Sequence, residues 1–204
     1  MAVRWRRVVI FVLSLLPFIW ITQAVVRIQS GEWNLLGPEP AKAIVWFTGS
    51  WAFNFLLISL AVSPLSRIAG QRWLMRHRRM LGLFAFFYVS LHLLSYFMFL
   101  LQWRWHELWQ ETIERPYLLA GMLAWLMLIP LAVTSTQGWQ RRLGRRWRKL
   151  HSLVYIVALL AALHYLMQIR SSWFEPGLYA LLTGVLLVLR WRNKLISKKV
   201  LKSG

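Results

Sequence analysis

The amino-acid sequence predicts an all-α membrane protein, built as a bundle of six transmembrane helices. Two observations predict this fold class. Of the 204 residues, 58% are hydrophobic, which is more than an ordinary soluble domain carries. Apolar runs of about 20 residues recur six times, and a run of this length crosses a bilayer as a helix because a helix satisfies its own backbone hydrogen bonds.

The six predicted spans are separated by short polar loops. They cover residues 8–26, 44–63, 80–101, 117–133, 150–168 and 177–191. The first follows three arginines, and its apolar length indicates a retained span rather than a cleaved secretion signal. The last has a short uncharged core, which Pro176 would begin and Arg190 and Arg192 would extend by snorkelling. Because the spans leave few residues over, we expect residues 1–204 to form a single transmembrane domain.

The distribution of charge predicts the orientation in the membrane. Of the 25 Lys and Arg residues, 20 lie near the N-terminus, in loops 64–79 and 134–149, and in the tail from Arg190. All six glutamates lie in the other loops, and there is no aspartate. By the positive-inside rule, both termini face the cytoplasm. The net charge is +19. Because the basic residues flank apolar runs, they indicate contact with anionic membrane lipid and not with nucleic acid.

Two histidines lie deep inside separate apolar runs. His92 is 12 residues past Met80 and His164 is 14 past Leu150, so both lie roughly 18–21 Å from the cytoplasmic ends of their helices. An ionisable group at membrane depth is costly and marks a function. Imidazole suits a haem iron held between helices. We therefore expect His92 and His164 to be axial haem ligands, the alternative being packing histidines bonded to hydroxyl or carbonyl groups.

The chain has no cysteine, which excludes thiolate metal sites and covalent haem attachment, so any haem is of the b type. His151 opens the fifth span on the cytoplasmic side and is a candidate ligand for a second haem. On a straight helix His151 and His164 are about 140° apart, so an irregular first turn would have to bring His151 inward. Its partner would be His77 or Arg78, or the haem would be five-coordinate. Of these, we expect His77 to be a solvated loop residue. Several arginines are placed to bind haem propionates: Arg78, Arg79, Arg145 and Arg148.

The outer loop after the third span carries His106, which we expect on the surface. Glu107, Glu111 and Glu114 follow at helical spacing, which indicates either an amphipathic interfacial helix or an acidic docking surface for a periplasmic partner. There is no Rossmann fingerprint and no phosphate-binding loop. Electrons would therefore come from a membrane quinol or from a separate flavoprotein.

Four segments carry a resemblance to a known family: FTGSWAFNFLLISLAVSPL, RRMLGLFAFFYVSLHLLSYF, RPYLLAGMLAW and LAVTSTQGWQRRLGRRWRKLHSLVYIVALLAALHYL. They resemble the MsrQ (YedZ) family, the haem-binding membrane subunits of bacterial MsrPQ systems, which is related to the ferric reductase-like transmembrane proteins. The resemblance covers nearly the whole chain. Its most specific part is the loop 133–137, VTSTQ, which leads into RWRKLHSLVY at 146–155.

The resemblance implies a haem b electron conduit in the bacterial inner membrane. It would pass electrons from the quinone pool, or from a cytosolic flavin reductase, to MsrP, a periplasmic molybdopterin enzyme that reduces methionine sulfoxide and so repairs oxidised proteins. The haem histidines of the family match His92, His151 and His164. FMN is implied as a further cofactor, without identified residues. The alternatives are a stand-alone ferric or flavin-coupled transmembrane reductase and, from another class, a non-redox transporter or assembly factor.

Overall fold

The computed structural model describes the backbone of residues 2–169 and 172–200 and the side chains within 5–32, 34–169 and 172–192. Arg170 and Lys202, both part of the predicted charge pattern, lie outside the described residues. Within the described part every regular element is helical, and six helices are long and apolar enough to cross a membrane. The predicted all-α six-helix membrane fold is thus confirmed. The six are Trp5–Gln29, Pro40–Ile68, Arg78–Leu100, Pro116–Val133, Arg145–Met167 and Phe174–Arg192.

The described chain forms nine α-helices in sequence order. They are α1 Ala2–Gln29, α2 Pro40–Ile68, α3 Arg78–Ser95, α4 Trp105–Glu114, α5 Pro116–Val133, α6 Gln137–Leu143, α7 Arg145–Leu150, α8 Val154–Met167 and α9 Phe174–Val200. Short 3-10 segments lie at Trp33–Leu36, Arg72–Arg76 and His151–Leu153, and a π-helical turn at Tyr96–Leu100 extends α3. Both α2 and α5 begin at a proline, where the fixed φ favours the first helical turn.

Helix α2 continues past Pro64, although the sequence predicts its end near residue 63. A proline inside a helix leaves the carbonyl four residues earlier without its donor. Here Nη2 of Arg190 donates to that carbonyl, Leu60 O, at 2.9 Å, and Nη1 donates to the Tyr155 hydroxyl at 3.0 Å. The expected snorkelling of Arg190 is therefore wrong, because its guanidinium turns into the bundle and completes the backbone hydrogen bonding of α2.

In α1, too, a side chain from a neighbouring helix enters the backbone hydrogen bonding beside a proline. Pro17 lies inside α1, and beside it the hydroxyl of the fully buried Tyr88 donates to Ser14 O at 2.8 Å and accepts from the Phe18 amide at 3.0 Å. In a regular helix these two backbone groups would bond to each other. The inserted hydroxyl ties α1 to α3.

The centre of the bundle is formed by α2, α3, α5 and α8. Helix α2 packs along α3 and α5 packs along α8, while α3 also contacts α5. Their shared core contains Phe55, whose ring stacks on Phe84 and Tyr88 with centroids 5.5 and 5.2 Å apart. Helix α1 flanks α2 and α3, and α9 flanks α2 and α8. Large apolar side chains point outward, as lipid-facing positions require: Leu126, Leu159, Leu181 and Val188 are examples.

Candidate functional site

The two histidines of the predicted pair meet in the middle of the bundle. His92 comes from α3 and His164 from α8, and their ring centroids are 6.1 Å apart with planes at 85°. An imidazole nitrogen lies about 2 Å from a metal that it binds. Two rings on opposite sides of one metal ion are therefore separated by two such bonds plus half of each ring, which gives a distance of this size. The expectation that the two residues lie at one depth is confirmed.

Each ring is held by a backbone carbonyl of a neighbouring helix. Nδ1 of His92 lies 2.8 Å from Val45 O, and Nδ1 of His164 lies 2.6 Å from Tyr117 O. A carbonyl only accepts, so Nδ1 is the protonated nitrogen of both rings and Nε2 carries the lone pair. In His164 the side-chain nitrogen of Gln168 lies 3.0 Å from Nε2 and donates to it. The protonated Nδ1 and its hydrogen bond to a carbonyl are the tautomer and the anchoring that metal-binding histidines show.

Glycines make room for these rings, and sequence reasoning missed them. Gly49 lies one turn after Val45 on α2, and Gly121 lies one turn after Tyr117 on α5. A Cβ on Gly49 would be 2.9 Å from Nδ1 of His92, and one on Gly121 would be 2.8 Å from Nδ1 of His164. Any larger residue would push the ring away from its carbonyl anchor.

The two half-sites form an internal repeat. In each, the anchoring carbonyl is followed by a glycine four residues later and precedes its histidine by 47 residues. The second half-site follows the first after 72 residues in the sequence. A related signal is the pattern RWxxxH, at 72–77 and again at 146–151. Comparing the sequence with itself at the 72-residue offset aligns Gly49 with Gly121 and His92 with His164, and it places Val45 opposite Tyr117.

At the end of the bundle that carries the basic loops, His151 lines a cavity of about 450 Å³. The irregular first turn that an inward-facing His151 requires is present, since His151 begins the 3-10 segment between α7 and α8. Its ring stacks on Trp147 at 4.0 Å, and its Nε2 lies 3.1 Å from Oγ1 of Thr134. That hydroxyl already donates to Pro130 O at 2.6 Å, so Nε2 of His151 is the donor. Its protonated nitrogen is thus the opposite one from His92 and His164.

The structure distinguishes the two candidate partners of His151 by whether they line the cavity. Arg78 lines the cytoplasmic cavity, whereas His77 is not among the side chains that line it. The expectation that His77 is solvated is wrong, because it is only 5% exposed. The 3-10 segment before it contacts both α2 and α3, and Trp73 of that segment covers its ring edge-on at 5.6 Å. Of the arginines predicted to bind propionates, Arg78, Arg79 and Arg148 line the cavity and Arg145 does not.

The outer loop forms the helix α4. The His106 side chain is 80% exposed, as predicted. Two glutamates are neutralised locally, Glu107 by Arg104 at 2.8 Å and Glu111 by Arg115 at 2.9 Å. An exposed apolar stripe runs along the helix through Trp105, Trp109 and Ile113. The amphipathic helix is therefore confirmed, and a docking role stays a prediction.

The number and type of side chains that could bind a metal limit which metal centre this site can hold. Within the described residues, no three histidine, aspartate or glutamate side chains gather at one point. The pair His92 and His164 would supply two imidazole nitrogens to one metal ion. Such a pair suits an iron whose remaining ligands come from a porphyrin.

Comparison with known proteins places this arrangement among its relatives. Residues 48–162 match the family described as ferric reductase like transmembrane component. A protein of Xanthomonas euvesicatoria pv. vesicatoria is 46% identical over 85% of this chain and 79% of its own length. One of Xanthomonas campestris pv. campestris is 50% identical over 80% and 74%, and one of Rhodospirillum rubrum is 44% identical over 92% and 88%. All three are named protein-methionine-sulfoxide reductase heme-binding subunit MsrQ.

Proposed function

The chain belongs to the MsrQ family of haem-binding subunits of protein-methionine-sulfoxide reductases and to the ferric reductase-like transmembrane proteins, and from this we propose that it is a haem b electron-transfer subunit of the bacterial inner membrane. It takes electrons from the quinone pool or from a cytosolic flavin reductase. It delivers them to a periplasmic molybdopterin enzyme of the MsrP type, which reduces methionine sulfoxide in oxidised proteins. The family resemblance adds FMN as a second cofactor.

The observation that carries this proposal is the anchored pair His92 and His164. Both rings direct an unprotonated Nε2 away from their carbonyl anchors, at a separation that fits one iron. A haem held there supplies a one-electron redox centre. The protein contributes the ligand orientation and a surrounding of apolar helices that keeps water from the iron.

The position of the pair fits delivery to the outer side. His92 lies 14 residues beyond Arg78, the first residue of α3, which is about 21 Å along a helix. If the basic loops face the cytoplasm, the pair lies in the outer half of the membrane. The substrate chemistry then takes place on the partner subunit, and this chain is the conductor.

Removing either ligand tests the haem assignment. We expect His92→Ala and His164→Ala to lose the Soret band and the bis-imidazole spectrum of the purified protein. His106→Ala is the matched control, because its exposed ring lies on the outer loop, and it should keep both signals. Wild-type haem content in both pair variants would refute the assignment.

Reoxidation kinetics test the acceptor. Dithionite-reduced protein should be reoxidised rapidly by a purified periplasmic methionine sulfoxide reductase together with methionine sulfoxide, and slowly by either alone. Rapid reoxidation by ferric citrate without the partner would instead favour the stand-alone ferric reductase. Reduction by a quinol, compared with reduction by a flavin reductase and NADPH, identifies the donor in the same assay.

A further inference from the structure

We propose that Arg115 binds a propionate of the haem held by His92 and His164, so that the propionate edge of this haem points toward the end of the bundle that carries α4. The inference rests on the haem assignment in the proposed function and adds an anion-binding residue to that site. The propionates of a haem are carboxylates, and a carboxylate at membrane depth needs a cation or hydrogen-bond donors as partners.

Arg115 lies beside the backbone group that anchors His164. It immediately precedes α5, and Tyr117, two residues later, supplies the carbonyl that lies 2.6 Å from Nδ1 of His164. The Tyr117 ring also lies near the His164 ring, with centroids 5.9 Å apart. The Arg115 guanidinium is close enough to Tyr117 and Tyr96 to interact with both side chains electrostatically. It is therefore placed at the α4 end of the histidine pair.

Polar side chains border the histidine pair on this same side. Tyr96 and Gln168 each follow a histidine of the pair by four residues, so each lies one helical turn beyond it on the same face. The Tyr96 amide bonds to His92 O, which keeps the helical spacing there. The Gln168 side chain reaches Nε2 of His164 at 3.0 Å. A propionate on this side would meet hydroxyl and amide donors as well as the guanidinium.

The opposite side of the pair is apolar along the central helices. One turn back from the two histidines lie Val89 and Ala161, and the Tyr88 hydroxyl is already engaged with the backbone of α1. In this direction α2, α3, α5 and α8 carry no Lys or Arg within three helical turns of the pair, which is about 16 Å. The polarity of the two sides therefore favours one orientation of the haem.

The present partner of Arg115 leaves room for a second carboxylate. Nη1 of Arg115 lies 2.9 Å from Oε2 of Glu111, yet this buried oxygen makes no aligned hydrogen bond with any residue that the structure describes. A guanidinium has five N–H donors, which is enough for two carboxylates. Glu111 would repel a propionate because both are negatively charged. The ion pair therefore identifies Arg115 as the anion-binding residue and Glu111 as a residue that weakens the binding.

The test compares haem with its dimethyl ester, in which both propionates are uncharged. Apoprotein of the full chain is titrated with each compound, and binding is followed by the Soret band. We expect the wild type to bind haem at least about tenfold more tightly than the ester, because a hydrogen bond to a charged group contributes that much. Arg115→Gln should bring this ratio close to one by weakening haem binding while leaving the affinity for the ester unchanged.

Three further variants isolate the charge of Arg115. Arg104→Gln is the matched control, because it removes an arginine that is paired in the same way on α4, with Glu107 at 2.8 Å; it should keep the wild-type ratio. Arg115→Lys retains the charge and should restore part of the preference for haem. Glu111→Gln removes the neighbouring negative charge and should tighten the binding of haem but not of the ester.

Each result supports or overturns the proposal. A ratio that falls in Arg115→Gln and not in Arg104→Gln supports it. Equal ratios in Arg115→Gln and the wild type overturn it, and so does an equal loss of affinity for both compounds, which would mean that Arg115 only supports the fold. If Arg115→Gln does not fold, Glu111→Gln decides: a raised ratio supports the proposal and an unchanged ratio overturns it.

Failure of the haem assignment is seen separately in the same titration. His92→Ala is included, and this variant should bind both compounds much more weakly than the wild type, because it lacks an axial ligand. Undiminished haem binding in His92→Ala would refute the histidine pair as the haem site. Weakened binding in His92→Ala together with an unchanged ratio in Arg115→Gln would instead refute only the role of Arg115.

Discussion

The hydrogen bonds of a histidine ring determine which of its two nitrogens carries a lone pair that can bind a metal. In His92 and His164, Nδ1 donates to a carbonyl and Nε2 is left with a lone pair. In His151, Nε2 donates to a threonine hydroxyl whose proton is engaged elsewhere. His151 therefore has the opposite ring nitrogen protonated from His92 and His164. The difference lies in the partners that neighbouring helices supply.

Gly121→Ala should weaken haem binding without unfolding the protein. The new Cβ would lie 2.8 Å from Nδ1 of His164, so the ring must tilt and its bond to Tyr117 O is lost. Loss of such an outer-shell anchor costs about 10- to 100-fold in metal affinity. Haem titration of the apoprotein measures the change. Gly184→Ala is the control, because a Cβ there meets nothing within 4 Å, and equal affinities for the two variants would contradict the anchoring role.

Gln168→Leu should have the opposite effect on haem affinity. The Gln168 amide donates to Nε2 of His164 at 3.0 Å, so it competes with iron for the same lone pair. A hydrogen bond of this kind contributes about 0.5–1.5 kcal/mol, and removing it should raise haem affinity roughly two- to tenfold. The titration is the same as for Gly121→Ala. Weaker haem binding in the leucine variant would show that Gln168 supports the haem instead of competing with it.

At this scale the sequence predicts the functional histidines but not their supports. His92 and His164 are conspicuous because each is an isolated ionisable group in an apolar run. Gly49 and Gly121 carry no such signal, since a glycine inside a membrane helix is common. Their role depends on a contact with a residue 43 positions further along the chain. Only the 72-residue offset between the half-sites reveals them in the sequence.

At the scale of the helices, side chains from neighbouring helices enter the backbone hydrogen bonding beside two prolines. In α1 the Tyr88 hydroxyl bridges Ser14 and Phe18 beside Pro17, and in α2 the guanidinium of Arg190 bonds to the carbonyl that Pro64 leaves free. Lipid offers no hydrogen bonds to such groups. These polar contacts therefore fix which helices lie side by side, where apolar packing alone would be less specific.

Tyr88→Phe should lower the thermal stability of the protein. The substitution keeps the ring but removes the hydroxyl, which leaves Ser14 O and the Phe18 amide without their bridge. Unsatisfied buried groups cost about 1–3 kcal/mol. Thermal unfolding in detergent, followed by circular dichroism, measures the loss. Tyr165→Phe is the control, since its hydroxyl makes only a 3.3 Å contact with the exposed Glu175; a decrease as large as that of Tyr88→Phe would contradict the bridging role.

The spans of the helices can be predicted from the sequence, but some of their ends cannot. The six spans follow from the lengths of the apolar runs, which local composition gives directly. The continuation of α2 beyond Pro64 to Ile68 does not, because it depends on Arg190, 126 residues later. The burial of His77 was missed for the same reason. The charged sequence RHRR predicts a solvated loop, whereas the 3-10 segment carrying Trp73 covers the ring.

On the scale of the whole molecule, two helix pairs are alike where they hold the buried histidines and differ at the opposite end. The anchored histidines repeat in both halves, in α2 with α3 and in α5 with α8. At the end of the bundle that carries the basic loops, the two copies of the RWxxxH pattern adopt different arrangements. Trp147 and His151 stack at a cavity, while Trp73 and His77 meet edge-on away from it. The two helix pairs therefore place their buried histidines alike and their RWxxxH histidines differently.

The charge asymmetry of the molecule leads to a prediction about its orientation. Of 25 Lys and Arg residues, 20 lie on one side of the predicted spans and five on the other, and such a bias sets the cytoplasmic side. The chain has no cysteine, so a single introduced cysteine reports only its own position. We expect a membrane-impermeant maleimide to label His106→Cys in intact spheroplasts and to label Arg76→Cys only after the membrane is permeabilised.

The labelling result tests the direction of electron transfer. Both positions are exposed in the structure, so a failure to react in intact cells reflects the membrane barrier and not burial. If Arg76→Cys reacts from outside, the paired histidines lie in the inner half of the membrane, and delivery to a periplasmic acceptor loses its geometric support. If His106→Cys alone reacts, the arginine-lined cavity faces the cytoplasm. The paired histidines would then lie in the outer half of the membrane, nearer a periplasmic partner.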